Sequence, residues 1–428
     1  MTHTNTKSKM IKKFIVSLCI LWSVTAIAQR GSSSSYSFYG IGEERFKGST
    51  ENRAMGSLSI FPDSTHVNLQ NPAGYGGLKL TTLSLSASHT STNAETNTQT
   101  GRSKNTTIDY LNVGIPLSPK WGAGVGLVAY SAVGYQIQNQ TTISENFSTS
   151  NQFEGSGGVN RVFFSSGYRL TPNFSIGATM DYNFGRIETS ALEFQQLVQF
   201  GTQELNTSQV SGFSFNLGGM WEKKINAKHK VYFSGYYTPE STLSFSNTRS
   251  IATVQFSTIS DPVIIDEQLV NVADTEVKLP SRVAIGAGFG QERKWLLGAE
   301  FTVIQSNTLQ NRFADITNAS FENSKRISVG GYYIPQYNSF SSYFERITFR
   351  GGFRHENTGL VVNNKAIDDT AVTFGVGLPV PQSFSNVNLG VELGRRGTAA
   401  ANLVRENYIN FTVSFSLNDK WFVKRKYN

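Results

Sequence analysis

Phe174-Ser175-Ile176-Gly177-Ala178-Thr179-Met180-Asp181-Tyr182-Asn183-Phe184-Gly185 is the stretch that decides the fold. Its even positions are apolar (Phe174, Ile176, Ala178, Met180, Tyr182, Phe184). Its odd positions are small or polar (Ser175, Gly177, Thr179, Asp181, Asn183, Gly185). Successive side chains of a strand point to opposite faces, so the alternation describes a strand with one oily and one polar face. The run is as long as a tilted strand needs to be to cross a bilayer. Repeated along a chain, such strands build a barrel whose outside meets lipid and whose inside meets water.

The pattern repeats. About fourteen strand candidates follow Gly77, with boundaries good to a few residues: 78–91, 106–118, 121–139, 157–171, 173–188, 208–223, 229–246, 276–290, 293–307, 320–334, 344–358, 370–379, 384–396 and 406–417. Several are clean. Trp295, Leu297, Ala299, Phe301 and Val303 alternate with Leu296, Gly298, Glu300 and Thr302. Val387, Leu389, Val391 and Leu393 alternate with Asn388, Gly390, Glu392 and Gly394. Phe411, Val413, Phe415 and Leu417 alternate with Thr412, Ser414 and Ser416. The candidates 157–171 and 320–334 are ambiguous in phase.

The links between candidates give a second test. Every other link is mostly short: Ser118-Pro119, Thr171-Pro172-Asn173, Glu222 to His229, Gln291-Glu292, Pro335 to Tyr343 and Val380 to Ser383. The links after the first, third, fifth and seventh candidates are longer, and 247–275 is the longest. Short turns on one side and long loops on the other describe an outer-membrane barrel. An even strand number puts both ends of the barrel on the short-turn, periplasmic side. A secreted soluble sandwich or propeller is the alternative, and it does not need this asymmetry.

The chain opens with an export signal. Lys7, Lys9, Lys12 and Lys13 precede the apolar run Phe14 to Ala28, which is short for a membrane-spanning helix. Ala26-Ile27-Ala28 is a small-x-small cleavage site, so the mature chain is expected to start at Gln29. Cys19, the single cysteine, lies inside the signal, which removes disulfides and thiolate metal sites from consideration. Loss of the four lysines lowers the formal charge from +8 to +4. No basic stripe with interleaved aromatics is present, so nucleic acid has no support as a partner. Charged residues make up 16% of the chain, below the roughly 25% of soluble domains, and no later segment reaches the length of an apolar membrane helix.

Catalytic patterns are missing. His66, His89, His229 and His355 are dispersed, and neither a G-x-S-x-G elbow nor a Walker A loop occurs. No enzyme activity, metal or cofactor is expected. Gly122 to Gly126 and Gly286 to Gly290 are Gly-rich but lie within strands, where a crowded lumen wall or a kink explains them. The charges Asp181, Glu300, Arg346, Arg350, Arg354 and Glu392 fall on the polar parity and are expected to line a wet lumen; a substrate relay is the alternative.

Gly31 to Gly77 shows no sustained alternation. It ends in Arg53-Ala54-Met55-Gly56-Ser57-Leu58-Ser59-Ile60-Phe61-Pro62-Asp63-Ser64-Thr65-His66-Val67-Asn68-Leu69-Gln70-Asn71-Pro72-Ala73-Gly74. This stretch resembles the N-terminal signature of the FadL/TodX family of outer-membrane transporters, through Ala54-Met55-Gly56, Asp63-Ser64, Asn71-Pro72-Ala73-Gly74 and Leu78. Leu279-Pro280-Ser281-Arg282-Val283, Arg350-Gly351-Gly352-Phe353, Ile367-Asp368-Asp369 and Phe374-Gly375-Val376-Gly377 are similar to later stretches of that family. The resemblance implies a fourteen-stranded barrel with its N-terminal segment folded into the lumen as a hatch. It also implies passage of hydrophobic molecules such as long-chain fatty acids or aromatic hydrocarbons. Related barrels serve as subunits of secretion machines. Pro72 fixes a backbone angle and Gly74 permits a tight turn. Asn68, Gln70 and Asn71 can satisfy irregular backbone, which is tolerated at membrane depth only inside protein or a wet cavity.

The expectation is therefore an all-β, transmembrane antiparallel barrel in the outer membrane of a Gram-negative bacterium. It comprises a signal at 1–28, a hatch at 29–77 with gating residues Asn68, Asn71, Pro72, Ala73 and Gly74, a barrel at 78–417 and a periplasmic tail at 418–428. Its partners are outer-membrane lipid and a hydrophobic ligand. The segment 247–275, with Ile251, Val254, Phe256 and Ile259 toward one end and Val263, Ile264, Ile265, Leu269 and Val270 further on, is expected to be a ligand-collecting loop or a protein-docking surface. Hatch-gated uptake and membership of a secretion or envelope-assembly complex both remain open.

Overall fold

The alternation at Phe174–Gly185 resolves as read. Ile176 and Met180 are 41% and 46% exposed on the outer wall, while Asp181 and Asn183, on the other face, are 4% and 0% exposed. The computed structural model describes residues 34–144, 147–255, 262–311 and 317–420. The expected export signal at 1–28, positions 29–33 of the expected hatch, Phe256 and Ile259 of the expected loop and positions 421–428 of the expected tail lie outside these residues.

Fourteen antiparallel strands form a closed barrel. They are β1 (Thr81–Glu95), β2 (Thr100–Ser118), β3 (Trp121–Ser144), β4 (Phe147–Thr171), β5 (Phe174–Gln195) and β6 (Phe200–Lys224). Next come β7 (Lys230–Thr238 and Ser241–Gln255) and β8 (Val263–Val270, Thr275–Leu279 and Arg282–Gln291). The last six are β9 (Trp295–Ile304), β10 (Ser324–Tyr333), β11 (Thr348–Val362), β12 (Lys365–Pro379), β13 (Asn386–Arg396) and β14 (Arg405–Asp419). Closure comes from β14 against β1, from Asp419↔Thr81 to Arg405↔Glu95. The lipid face is apolar throughout: Leu297, Leu389, Leu393, Phe411 and Leu417 are exposed, and their neighbours Glu300, Asn388, Glu392 and Thr412 are buried. Exposed aromatics gather near the short turns, among them Trp121, Phe174 and Phe289, as at the interfaces of outer-membrane barrels.

Two features differ from the sequence reading. The long links become strand. β4 starts at Phe147 instead of 157, β6 at Phe200 instead of 208, and the supposed loop 247–275 is mostly a hairpin of Ser241–Gln255 against Val263–Val270. Those extensions rise above the apolar band, where neither face meets lipid. Their side chains therefore lose the oily alternation that marks a strand in sequence. Second, β7 and β8 each break at a proline. Pairing runs up to Thr238↔Arg282 and resumes at Ser241↔Leu279, leaving Pro239 level with Ser281 and Pro280 level with Glu240. Proline has no N–H to give the ladder, so the two breaks coincide.

Residues 34–80 run inside the barrel. They hold a 3₁₀ turn at Ser35–Phe38, a two-residue bridge at Glu43–Glu44, the single helical turn α1 (Thr50–Arg53) and a 3₁₀ stretch at Pro72–Gly77. Ser49 caps α1 by accepting from the Asn52 amide.

Candidate functional site

The interior of the barrel is the candidate site, and its inner segment is fixed from one end to the other. Near the short turns Asn71 does most of the holding. Its Nδ2 donates to Ser234 Oγ at 2.9 Å and to the carbonyls of Gly235 and Gly219 at 3.1 and 3.2 Å. Its Oδ1 accepts from the Ala73 amide at 3.0 Å and so caps the turn that Pro72 begins. Asn68 Oδ1 accepts from the amides of Gln70 and Asn71, and Asn68 Nδ2 donates to Ser59 O. Pro72, Ala73 and Gly74 are buried against the wall glycines: a Cβ on Gly177 would overlap Pro72, and one on Gly218 would overlap Asn71. The glycine-rich strand stretches have the same explanation, since Gly122 and Gly124 face Tyr75 while Gly286 and Gly298 face Ile60.

Halfway up, the contacts become ionic. Glu300 accepts from the Ser59 amide and hydroxyl at 2.9 and 2.6 Å. Arg53 lies between Asp109 (3.7 Å) and Glu392 (3.9 Å). Asn388 donates to Glu51 at 2.6 Å, and Thr373 Oγ1 accepts from the Gly56 amide. His66 is held between Asp63 (2.8 Å) and Glu51 (3.5 Å). Burial opposes its protonation, but the two carboxylates outweigh burial and the nearby Arg350, so its pKa is raised above the ordinary histidine value. At the far end Arg282 pairs with Glu44, Arg396 with Glu43 at 2.6 Å, and Glu406 accepts from Ser34 Oγ and the Ser35 amide.

The charges expected in the lumen are mostly bound rather than wet. Asp181 pairs with Arg161 at 3.2 Å, and Arg350 donates to Asn388. Arg354 donates to Glu392 at 2.7 Å, to Tyr408 and to Asp369. Arg346 stands apart: it ends the turn Phe344–Arg346 before β11 and stacks on Tyr343. Sequence reasoning missed Arg161, Arg282, Arg326, Asp369, Arg396 and Glu406. The signal was available in the inner segment itself. Glu43, Glu44, Arg45, Lys47, Glu51 and Arg53 cannot be buried in a lumen without counter-charges on the wall. Between segment and wall remains a cavity of about 260 Å³, lined by Arg282, Arg354 and Arg396 and by carboxylates that pair with them, Glu44, Asp369, Glu392 and Glu43 among them. Next to it an apolar cluster packs Ile41 against Tyr130, Val133, Leu243 and Phe245.

Among the described residues the wall has a seam between β2 and β3. The β2–β3 ladder runs from Ser118↔Trp121 to Tyr110↔Val128 and ends there. Above it β3 takes the inner segment as partner, with Glu43↔Ala132, Glu44↔Ser131 and the Arg45 amide donating to Tyr130 O.

Residues 10–428 match the sequence profile of the BamG family. The chain belongs to the BamG family. The comparison with curated proteins gave no match. Among solved structures, this BamG-family barrel is similar to the toluene transporter TodX of Pseudomonas putida (TM-score 0.58, 15% identity, covering 88% of this chain and 99% of that one). It is also similar to the toluene transporter TbuX of Ralstonia pickettii (TM-score 0.57, 14% identity, 87% and 99%). A FadL homologue of Pseudomonas aeruginosa gives a TM-score of 0.55 at 12% identity, over 89% and 99%. At such identity the likeness is one of fold: the BamG-family chain has the barrel of outer-membrane FadL/TodX-type channels, as its N-terminal signature implied.

Proposed function

We propose that the protein is a passive channel of the Gram-negative outer membrane. In this reading residues 29–77 act as a hatch, 78–417 form the barrel and 418–428 a periplasmic tail. Asn68, Asn71, Pro72, Ala73 and Gly74 are its gating anchor. The observation that carries this reading is the seam between β2 and β3, where the inner segment substitutes for a missing stretch of ladder. Shifting two residues of that segment would open the wall sideways, toward lipid, without unzipping the barrel. The expected ligands are long-chain fatty acids or aromatic hydrocarbons. The guanidinium groups around the cavity are already paired with carboxylates, Arg282 with Glu44, Arg354 with Glu392 and Arg396 with Glu43, so both classes stay within the proposal. The test is uptake of a labelled long-chain fatty acid by a strain lacking the protein, restored by wild type and altered by Asn71→Ala with Pro72→Ala. Normal uptake in the null strain would remove transport.

A second reading has its own observation. The inner segment is clasped to the wall at every level, which suits a rigid barrel subunit of a secretion or envelope-assembly complex. Affinity purification from native membrane separates the two. Bound lipid without a stoichiometric protein supports the channel, and a stable protein partner supports the subunit.

A further inference from the structure

Val263–Val270 (Val-Ile-Ile-Asp-Glu-Gln-Leu-Val) is an apolar strand that lies outside the membrane band. The lowest segment of β8, Arg282–Gln291, already has the 10 residues that cross a bilayer, and Val263–Val270 lies beyond it and beyond the Pro280 break. On one side it pairs with β7, from Val263↔Gln255 to Val270↔Arg249, with a bulge at Ile265. Among the described residues no strand pairs with its other side. All eight residues are exposed, Ile264 and Ile265 at 53% and Leu269 at 83%. A long, apolar edge in water is a template for another strand, and soluble proteins avoid leaving one bare.

The charge pattern selects the occupant. Asp266 and Glu267 sit at the centre, with apolar residues at both ends. If a second copy paired along the full strand, antiparallel geometry would set Asp266 opposite Glu267 twice over. Like charges directly opposite destabilise a pair, so the edge is built against itself. The nearest charged residues along the chain on either side, Asp261 and Asp274, have the same sign. We propose that Val263–Val270 is the docking edge for an extended segment of a different protein. That segment adds as an antiparallel strand, apolar at both ends, with Lys or Arg opposite Asp266 and Glu267. Main-chain hydrogen bonds supply affinity and the central charges supply selection. This rests on the strand lying outside the membrane and is independent of whether the barrel passes a ligand.

The test uses the full-length barrel in detergent. Leu269→Cys provides the only thiol of a chain whose one cysteine is Cys19 in the export signal, and carries a fluorophore. The probes are two synthetic peptides, Thr-Val-Val-Lys-Lys-Val-Val-Thr and its Glu-Glu counterpart. The lysine peptide is expected to bind about tenfold tighter than the glutamate peptide, the ratio that two cross-strand charge pairs can supply. It should also slow amide exchange at 263–270. Asp266→Lys with Glu267→Lys should reverse the preference. Asp266→Asn with Glu267→Gln, which keeps size and polarity, should erase it if the reversal fails to fold. Equal binding of the two peptides, or no binding of the lysine peptide, would overturn the proposal. Fatty-acid uptake by these variants, measured in parallel, reports on the channel reading separately.

Discussion

Glu300 and Asn71 carry much of the tie between an irregular segment and a regular wall. Glu300 alone satisfies two donors of Ser59. Replacing it by Ala leaves a buried amide and hydroxyl without an acceptor, at a cost of about 1–3 kcal/mol for each group left unmade. Because Ser59 belongs to the segment and not to the wall, amide exchange should rise around 57–60 while the barrel stays resistant to detergent and heat. His66 sets a pH dependence at the same scale. Its pKa is raised in the folded state, so its contribution is complete below the ordinary value near ~6.5 and is lost as pH rises through the folded value. Asp63, Glu51 and Arg350 are the charges facing it. Exchange at 63–67 should quicken with rising pH beyond the intrinsic base catalysis, and His66→Gln should remove the excess.

At the scale of the element, each strand has two faces with different rules. Leu297→Arg would put a guanidinium against lipid at about 2–4 kcal/mol near mid-membrane. Thr302→Asp would put a carboxylate inside, next to Arg326, whose Nη2 already reaches Thr302 Oγ1 at 3.4 Å. The first is expected to reduce the heat-modifiable folded species on a gel and the second to leave it; equal loss would invalidate the assignment of faces. The inner face has a further rule. Gly330 and Gly352 lie so close to Met55 and Gly56 that an added Cβ would overlap their backbone. Gly352→Val should therefore displace residues 54–57 and increase their proteolysis, with the β10–β11 ladder retained. The periodicity made the strands legible from Thr81 onward, most surely in β5, β9, β13 and β14. It failed in the upper parts of β4, β6, β7 and β8, because alternation is imposed by lipid and those parts have none.

For the whole molecule, the segment fills a barrel that would otherwise be open. Deleting 31–70 should raise the conductance of planar bilayers to small polar solutes, because no other described part of the chain occupies the middle of the lumen. Conductance unchanged by the deletion would mean that the segment does not block the path. What the sequence by itself determined was the barrel: strand number, outward and inward faces, and an N-terminal stretch unfit to be a strand. These follow from local alternation and composition, which lipid and water impose on each strand separately. The tertiary structure decided the rest. It matched Arg53 to Asp109 and Glu392, Glu43 to Arg396 and Asn71 to Ser234, set two prolines one residue out of step in neighbouring strands, and left Val263–Val270 with one bare edge. Those pairings join residues tens to hundreds of positions apart, and no local pattern encodes which buried charge meets which. They are fixed only when the closed wall sets the height of every side chain around the segment it encloses.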